Sequence, residues 1–296
     1  MAVNDEAIFR VFRRVDRLLR EVRRNPEAER VHRFRTAARR LDVVLELLRR
    51  SHPRTVRRIA KPVGRLRRRA GKVRDLDVLA AALAALHCES EAARRLAALI
   101  AERRDRQRLR LQAALERRGA QKLRHRLRQF ARAIASRPVE SAPWRQVAPV
   151  ESALREFCRV ARRMPRTEAA LHAYRIRCKH VRYLMELGRP DRTATASLVP
   201  LRAMQDALGS WHDHAELTRL AEGMPEAPGR GALLAELRNL TQAKLAQALR
   251  VTADARGRLL RRAARVTARA AAAPARRGPT AVAVRPQGRK AVAAGG

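Results

Sequence analysis

One stretch of this chain occurs twice with the same arrangement of apolar and basic residues. Residues 31–47 read VHRFRTAARRLDVVLEL, and residues 171–187 read LHAYRIRCKHVRYLMEL. In both copies apolar residues recur every three or four positions, and this spacing places them along one face of an α-helix. The chain is therefore expected to repeat an amphipathic helix at an offset of 140 residues.

A second pair of segments supports an internal duplication. Residues 61–79 read KPVGRLRRRAGKVRDLDVL, and residues 199–217 read VPLRAMQDALGSWHDHAEL, at an offset of 138 residues. Each contains a proline, a helical stretch, a glycine, and then a hydrophobic residue, a basic residue and an aspartate. Because the two offsets are nearly equal, we infer a repeated helical unit of about 140 residues.

Proline-rich and low-periodicity segments predict the domain organisation. Residues 136–149 contain three prolines, so we expect them to link two helical halves, residues 1–135 and 150–266. Residues 267–296 contain mainly Ala, Arg, Pro and Gly without apolar periodicity, and we expect a disordered basic tail. The sparse glycine and proline elsewhere, together with only 3% aromatic residues, favour an all-α fold with a core of Leu, Ala and Val.

Capping residues predict several helix ends. Thr167 is placed to cap the helix that carries the second copy. Gly71 is expected to end a helix of residues 54–70. Asp75 and its counterpart Asp213 each follow a glycine, so the simplest interpretation makes them N-caps rather than catalytic residues.

The net charge of +40 indicates a polyanionic partner. The chain has 68 basic and 28 acidic residues, so most cations have no carboxylate to pair with inside the protein. Such self-repulsion destabilises a compact monomer unless a polyanion or counterions screen it. Nucleic acid, polyphosphate and an anionic membrane surface are the partner classes that this charge allows.

The cysteines and the hydropathy pattern predict a cytoplasmic location. The three cysteines have no ligand-like spacing, which indicates a reducing compartment. No apolar run approaches the length that spans a bilayer, so we expect no membrane insertion.

In both repeated stretches the apolar residues of one helix face form a row, here called the seam, and basic residues accompany it. Each lies one position after a seam residue, about 100° round the helix, so the stripe borders the seam rather than opposing it. The stripe consists of His32, Arg35 and Arg39 in the first copy and of His172, Arg175, Lys179 and Arg182 in the second. Such a row of cationic donors suits phosphate groups. An equally open interpretation is a solvated helix face whose two histidines bond to neighbouring loops at the helix starts.

Signals for catalysis are weak. The HDH sequence of residues 212–214 is similar to the His-Asp pairs of metal phosphohydrolases, but that chemistry needs further ligands that converge on one site. Residues 74–76 of the first copy read RDL and have no imidazole. Phosphate-binding glycine loops are also absent. We therefore expect no catalytic residue, metal or cofactor.

The paired His-x-x-Arg helices and the paired Gly-x-hydrophobe-basic-Asp segments resemble the CHAD domain, the conserved-histidine α-helical domain. The likeness spans residues 31–266. It implies two similar bundles of long antiparallel helices related by a pseudo-two-fold axis, with a basic groove. It also implies binding of inorganic polyphosphate and, in some members, association with polyphosphate granules. Some relatives carry a second domain with an E-x-E-x-K strand, which this sequence lacks, so it looks like the stand-alone form.

Transferred to this chain, the resemblance assigns polyphosphate binding to eight residues. They are His32, Arg35, Arg39, Arg40, His172, Arg175, Lys179 and Arg182. Two departures from the family pattern, Asp42 and His180, stand where basic residues are usual. We therefore expect the groove to be less cationic at these places.

The leading hypothesis is a non-enzymatic polyphosphate-binding protein whose groove lies where the two repeated helices face each other. The alternative is a nucleic-acid-compacting, histone-like protein, but the scarcity of aromatic residues argues against base stacking and makes nucleic acid the weaker competing polyanion. A metal-dependent phosphohydrolase centred on His212 and Asp213 is the third hypothesis.

Overall fold

The computed structural model describes residues 5–136, 149–165, 167–188 and 192–272. These residues form nine helices and no strand, which confirms the all-α prediction. The helices are α1 (Asp5–Arg24), α2 (Ala28–Leu48), α3 (Pro53–Ala84), α4 (Glu91–Glu116), α5 (Arg118–Ala135), α6 (Pro149–Val160), α7 (Glu168–Met185), α8 (Arg192–Glu222) and α9 (Arg230–Ala272). Most of the predicted linker and of the predicted tail lies outside the described residues. None of the described helices combines the length and hydropathy needed to cross a bilayer.

The apolar seams of the two repeated stretches form the core. Phe34 and Leu41 of α2 and Cys178 and Val181 of α7 are fully buried. They belong to one hydrophobic cluster that contains residues from both predicted halves. Burial of a side chain such as Phe34 contributes about 2–3 kcal/mol to stability, so the repeated apolar pattern is a pattern of core residues.

Helices at corresponding positions of the two predicted copies pack against each other. α2, which carries the first repeated stretch, contacts α7, and α3 likewise contacts its counterpart α8. α4 contacts α9, and a second, smaller core joins the ends of α3, α4, α8 and α9. A duplicated unit would pack in this way, while the pseudo-two-fold axis itself stays a prediction.

The predicted helix ends at the repeated glycines are wrong. α3 continues through Gly71, and α8 continues through Gly209, so Asp75 and Asp213 lie inside helices instead of capping them. A glycine inside a helix costs about 1 kcal/mol relative to alanine. Burial of apolar residues on the far side of each glycine outweighs that cost, because α3 and α8 pack both within their own half and across the two halves.

The start of α7 is as predicted. The Thr167 hydroxyl accepts a hydrogen bond from the backbone N–H of Ala170 at 3.2 Å, and the helix begins at Glu168. Such a cap contributes about 1 kcal/mol. It anchors the first turn of the helix that carries the second basic stripe.

Candidate anion-binding groove

A groove of about 860 Å³ lies where α2, α3, α7 and α8 meet. Eight arginine and lysine side chains and four carboxylates line it, so the lining has an excess of positive charge. Seven of the eight residues predicted from the sequence are in this lining: His32, Arg35, Arg39, Arg40, Arg175, Lys179 and Arg182. The two repeated stretches thus contribute to a single site.

His172 does not line the groove. Its ring centroid lies 4.8 Å from that of His212, in the contact between α7 and α8. Burial lowers the pKa of His212 to about 3, and repulsion from Arg175 and His172 adds to the effect. His212 is therefore neutral at pH 7, and this imidazole pair belongs to a helix contact rather than to the row of cations.

All eight predicted residues are partly buried, and none is fully exposed. The stripe is therefore not a solvated helix face. Because each member follows a buried seam residue such as Phe34 or Cys178, its side chain emerges at the border between core and solvent.

Three cations in the groove form no direct ion pair, although the Asp213 carboxylate partly offsets the charges of Arg175 and Lys179. Arg39, Arg175 and Lys179 have no ion-pair partner in the described part of the chain. Burial, followed by repulsion from Arg175 and Arg39, lowers the pKa of Lys179 to about 7. Burial and repulsion from Arg35 lower the pKa of Arg39 to about 10, and the pKa of Arg175 is also lowered by burial. Gathering these charges costs free energy that a bound anion would recover.

Glu186 gathers three arginines in another part of the groove. Its Oε2 atom accepts from Arg40 at 2.9 Å (Nε) and 2.8 Å (Nη2), and its Oε1 atom lies 3.8 Å from both Arg182 and Arg202. The guanidinium carbons of Arg40 and Arg182 lie 5.9 and 4.8 Å from the ring centroid of Tyr183. Arg40 and Arg182 occupy non-equivalent positions of the two copies, so the groove is not symmetric in its side chains.

α3 contributes an ion pair that the sequence interpretation missed. Asp75 Oδ1 lies 3.1 Å from Arg35 Nη2, so this aspartate orients a groove arginine. A Cβ atom at Gly71 would lie 3.5 Å from Arg35 Nε, which shows how closely that side chain crosses α3. The repetition of the glycine and the aspartate in both copies was the sequence signal that could have indicated this ion pair, because Asp75 lies on the side of α3 that faces the groove.

The matching part of α8 faces the same groove. Asp213 lines it, and burial raises the pKa of this carboxyl group while Arg175 and Lys179 oppose the rise. A Cβ atom added to Gly209 would have no atom within 4 Å, so this glycine borders open space. At Gly209 the wall of the groove that α8 forms therefore has no side chain, and space for a ligand remains there.

The two departures from the family pattern lie outside the groove lining. Asp42 pairs with Arg67 at 2.9 Å, and His180 Nε2 lies 3.7 Å from Glu46 Oε2. Neither Asp42 nor His180 lines the groove. Asp42 nevertheless interacts electrostatically with the groove cation Arg39, so the local loss of positive charge stays a prediction.

Across the described residues, no group of three or more His, Cys, Asp or Glu side chains is arranged to hold a metal ion. His214 lines the groove and contacts the Ser210 carbonyl through Nδ1 at 2.8 Å, whereas the ring of His212 lies against that of His172 in a tilted arrangement. The HDH segment thus directs its two imidazoles into different surroundings.

Comparisons with solved structures identify the same fold elsewhere. The crystal structure of the CHAD domain from the plant Ricinus communis matches with a TM-score of 0.65 and 21% identity, over 86% of this chain and 92% of that chain. PptA from Streptomyces chartreusis matches with a TM-score of 0.61 and 16% identity, over 86% of this chain and 99% of that chain. At such identities the likeness shows the fold alone. No match was found among curated proteins.

The family comparison covers more than the repeated stretches. The family model described as CHAD domain matches residues 6–222, from α1 to the end of α8. This range includes every helix that lines the groove and most of the chain. The chain therefore belongs to the CHAD domain family.

Proposed function

We propose that this protein binds inorganic polyphosphate in the groove between α2, α3, α7 and α8, without catalysing a reaction on it. The observation that carries the proposal is the cluster of Arg39, Arg175 and Lys179, which are partly buried and lack ion-pair partners in the described residues. Such a cluster is unfavourable until a polyanion screens it. A phosphate chain offers a negative charge at every repeat, and charged donors form short, strong hydrogen bonds to phosphate oxygens. Binding of this kind would recruit the protein to polyphosphate granules in the cytoplasm.

The composition of the groove favours a polyanion without bases. Among its described lining residues, Tyr183 is the sole Phe, Tyr or Trp. This tyrosine is 5% exposed, and two arginines lie against its ring. Non-specific binders of single-stranded nucleic acid usually offer accessible aromatic rings for base stacking, and this groove offers none in its described lining.

The first test measures affinity for polyphosphate of defined length as a function of salt. Because binding would release counterions, neutralising about 6–10 phosphates should give a log–log salt slope near −4 to −7 if the single-strand coefficient applies. Polyphosphate should displace duplex DNA of matched charge easily, whereas DNA should displace polyphosphate poorly. A slope near zero, or equal displacement in both directions, would contradict the proposal.

A second test fills the groove without changing its charge. Gly209→Leu places a side chain in the open space beside α8, and the replacement of a helical glycine should leave the fold intact. We expect polyphosphate affinity to fall on the order of tenfold or more, about 1.4 kcal/mol, because the chain loses its path along this wall. Gly231→Leu is the matched control, since Gly231 also borders open space but lies in α9 outside the groove lining. Equal affinities for the two variants would argue against binding in the groove.

A further inference from the structure

A second basic surface lies between α1 and α5, outside the groove. A cavity of about 540 Å³ there has buried Phe12 and Leu127 in its floor, and seven arginines in its lining. The one carboxylate in this lining belongs to Asp16, which is 7% exposed. Asp16 accepts a hydrogen bond from Arg124 at 2.8 Å, so it is already engaged with an arginine outside the lining.

Most of these arginines are unpaired. Arg10 and Arg17 lie 3.9 and 3.5 Å from Glu6 and Glu21 of their own helix, and such exposed pairs contribute little. The other five arginines, which include Arg13 and Arg14 on α1, form no direct ion pair in the described part of the chain, although Glu21 acts on Arg14 from a distance. The surface is therefore a concentrated and largely unscreened positive patch.

Arg14 connects this patch to the groove. α1 packs against α2, and Arg40 of α2 lines the groove while Arg14 of α1 lines the cavity. Burial and then repulsion from Arg40, Arg17 and Arg33 lower the pKa of Arg14, as expected for cations that share one field. Positive potential thus continues from the groove across α2 onto α1.

We propose that the α1–α5 arginine surface is a second binding segment for the same polyphosphate chain. A chain longer than the groove continues past Arg40, over Arg14 and along the arginine rim of the cavity. This inference rests on the proposed function and extends it to a preference for long chains. The guanidinium groups of this surface are bidentate donors suited to phosphate oxygens, and linking two segments through one chain raises affinity without any new contact in the groove.

The test compares chain lengths in a variant of this surface. Arg13, Arg17, Arg128 and Arg132 are replaced together by Gln, and affinity is measured for chains of about 8 and about 60 phosphates. For the long chain we expect a loss on the order of tenfold or more and a salt slope shallower by about 3, because four phosphate contacts disappear. For the short chain we expect a change within about twofold, because the groove is intact.

The control removes the same charge elsewhere. Arg103, Arg110, Arg117 and Arg118 are exposed and line neither the groove nor the α1–α5 cavity, so their replacement by Gln should change both affinities by less than about threefold. A comparable long-chain loss in the control, an equal loss for both chain lengths, or a loss confined to duplex DNA would overturn the second segment. If the unmodified protein binds neither chain, the proposed function fails as well. If the unmodified protein binds both chains and the variant of the α1–α5 arginine surface changes neither affinity, only this inference fails.

Discussion

Replacing Arg35, Arg39, Arg175 and Lys179 together with Gln is expected to lower polyphosphate affinity by on the order of a thousandfold or more. Each replacement removes a cationic donor from the groove, and four hydrogen bonds to charged groups at about 1.5 kcal/mol or more each correspond to about 6 kcal/mol or more. The salt slope should become shallower by about 3, since four fewer counterions are displaced. Equilibrium titrations with labelled polyphosphate at several salt concentrations measure both quantities.

The control for this variant is the quadruple replacement, described above, of the exposed arginines Arg103, Arg110, Arg117 and Arg118, which lie on α4, on α5 and at the junction between them. Both variants lose four positive charges, so a field that depends only on net charge predicts equal losses of affinity. Equal losses would show that binding is diffuse. The groove variant should keep a cooperative thermal unfolding transition, because relief of the repulsion among the removed cations offsets the loss of the ion pair between Arg35 and Asp75.

Lys179→Met is expected to stabilise the free protein and to weaken ligand binding. The folded protein holds the pKa of Lys179 at about 7, below the ordinary value of 10.5. The charged lysine therefore destabilises the fold fully below pH 7, and this penalty disappears as pH rises from 7 to 10.5. A shift of this size corresponds to at most about 5 kcal/mol, so we expect the variant to gain about 2–4 kcal/mol at pH 6.5 and about 1 kcal/mol or less at pH 10.

Urea denaturation at the two pH values measures this gain. Lys61→Met is the control, because Lys61 is exposed on α3 and does not line the groove, and it should change stability by less than about 0.5 kcal/mol. A loss of stability in the Lys179 variant at pH 6.5 would show that its ammonium is favourably placed without ligand.

The same lysine should couple polyphosphate binding to proton uptake. Bound phosphate would raise the pKa of Lys179, so the affinity of the unmodified protein should fall as pH rises above about 7. In the Lys179→Met variant this component of the pH dependence should vanish. Titration calorimetry in buffers of different ionisation enthalpy counts the protons directly, and identical proton uptake in both proteins would assign the coupling to another group.

The positions of the basic stripes could be predicted because helix geometry is local. A residue that follows a seam position is rotated by about 100° wherever the helix packs. Once Phe34 and Cys178 are core residues, Arg35 and Lys179 must emerge beside the core. The all-α fold, the buried seams and six of the seven predicted residues that line the groove follow from that periodicity and from its repetition along the chain, whereas Arg40 came from the family resemblance.

The helix ends at Gly71 and Gly209 could not be judged from local signals. A glycine followed by an aspartate is a frequent helix boundary, but α3 and α8 each pack on several helices along their length. That packing energy depends on residues far away in the sequence. A local sequence pattern therefore could not predict that both helices continue through the glycine.

The sequence by itself determined an all-helical chain with two cationic stripes at the edge of a duplicated core, because each of these features depends on residues within one or two helical turns. Only the tertiary structure decided which cations share the groove. Arg40 forms a hydrogen bond with Glu186 across 146 positions of the chain, and the ring of His172 lies against that of His212 instead of lining the groove. These relations depend on how separate helices pack, and periodicity within a single helix does not encode that packing.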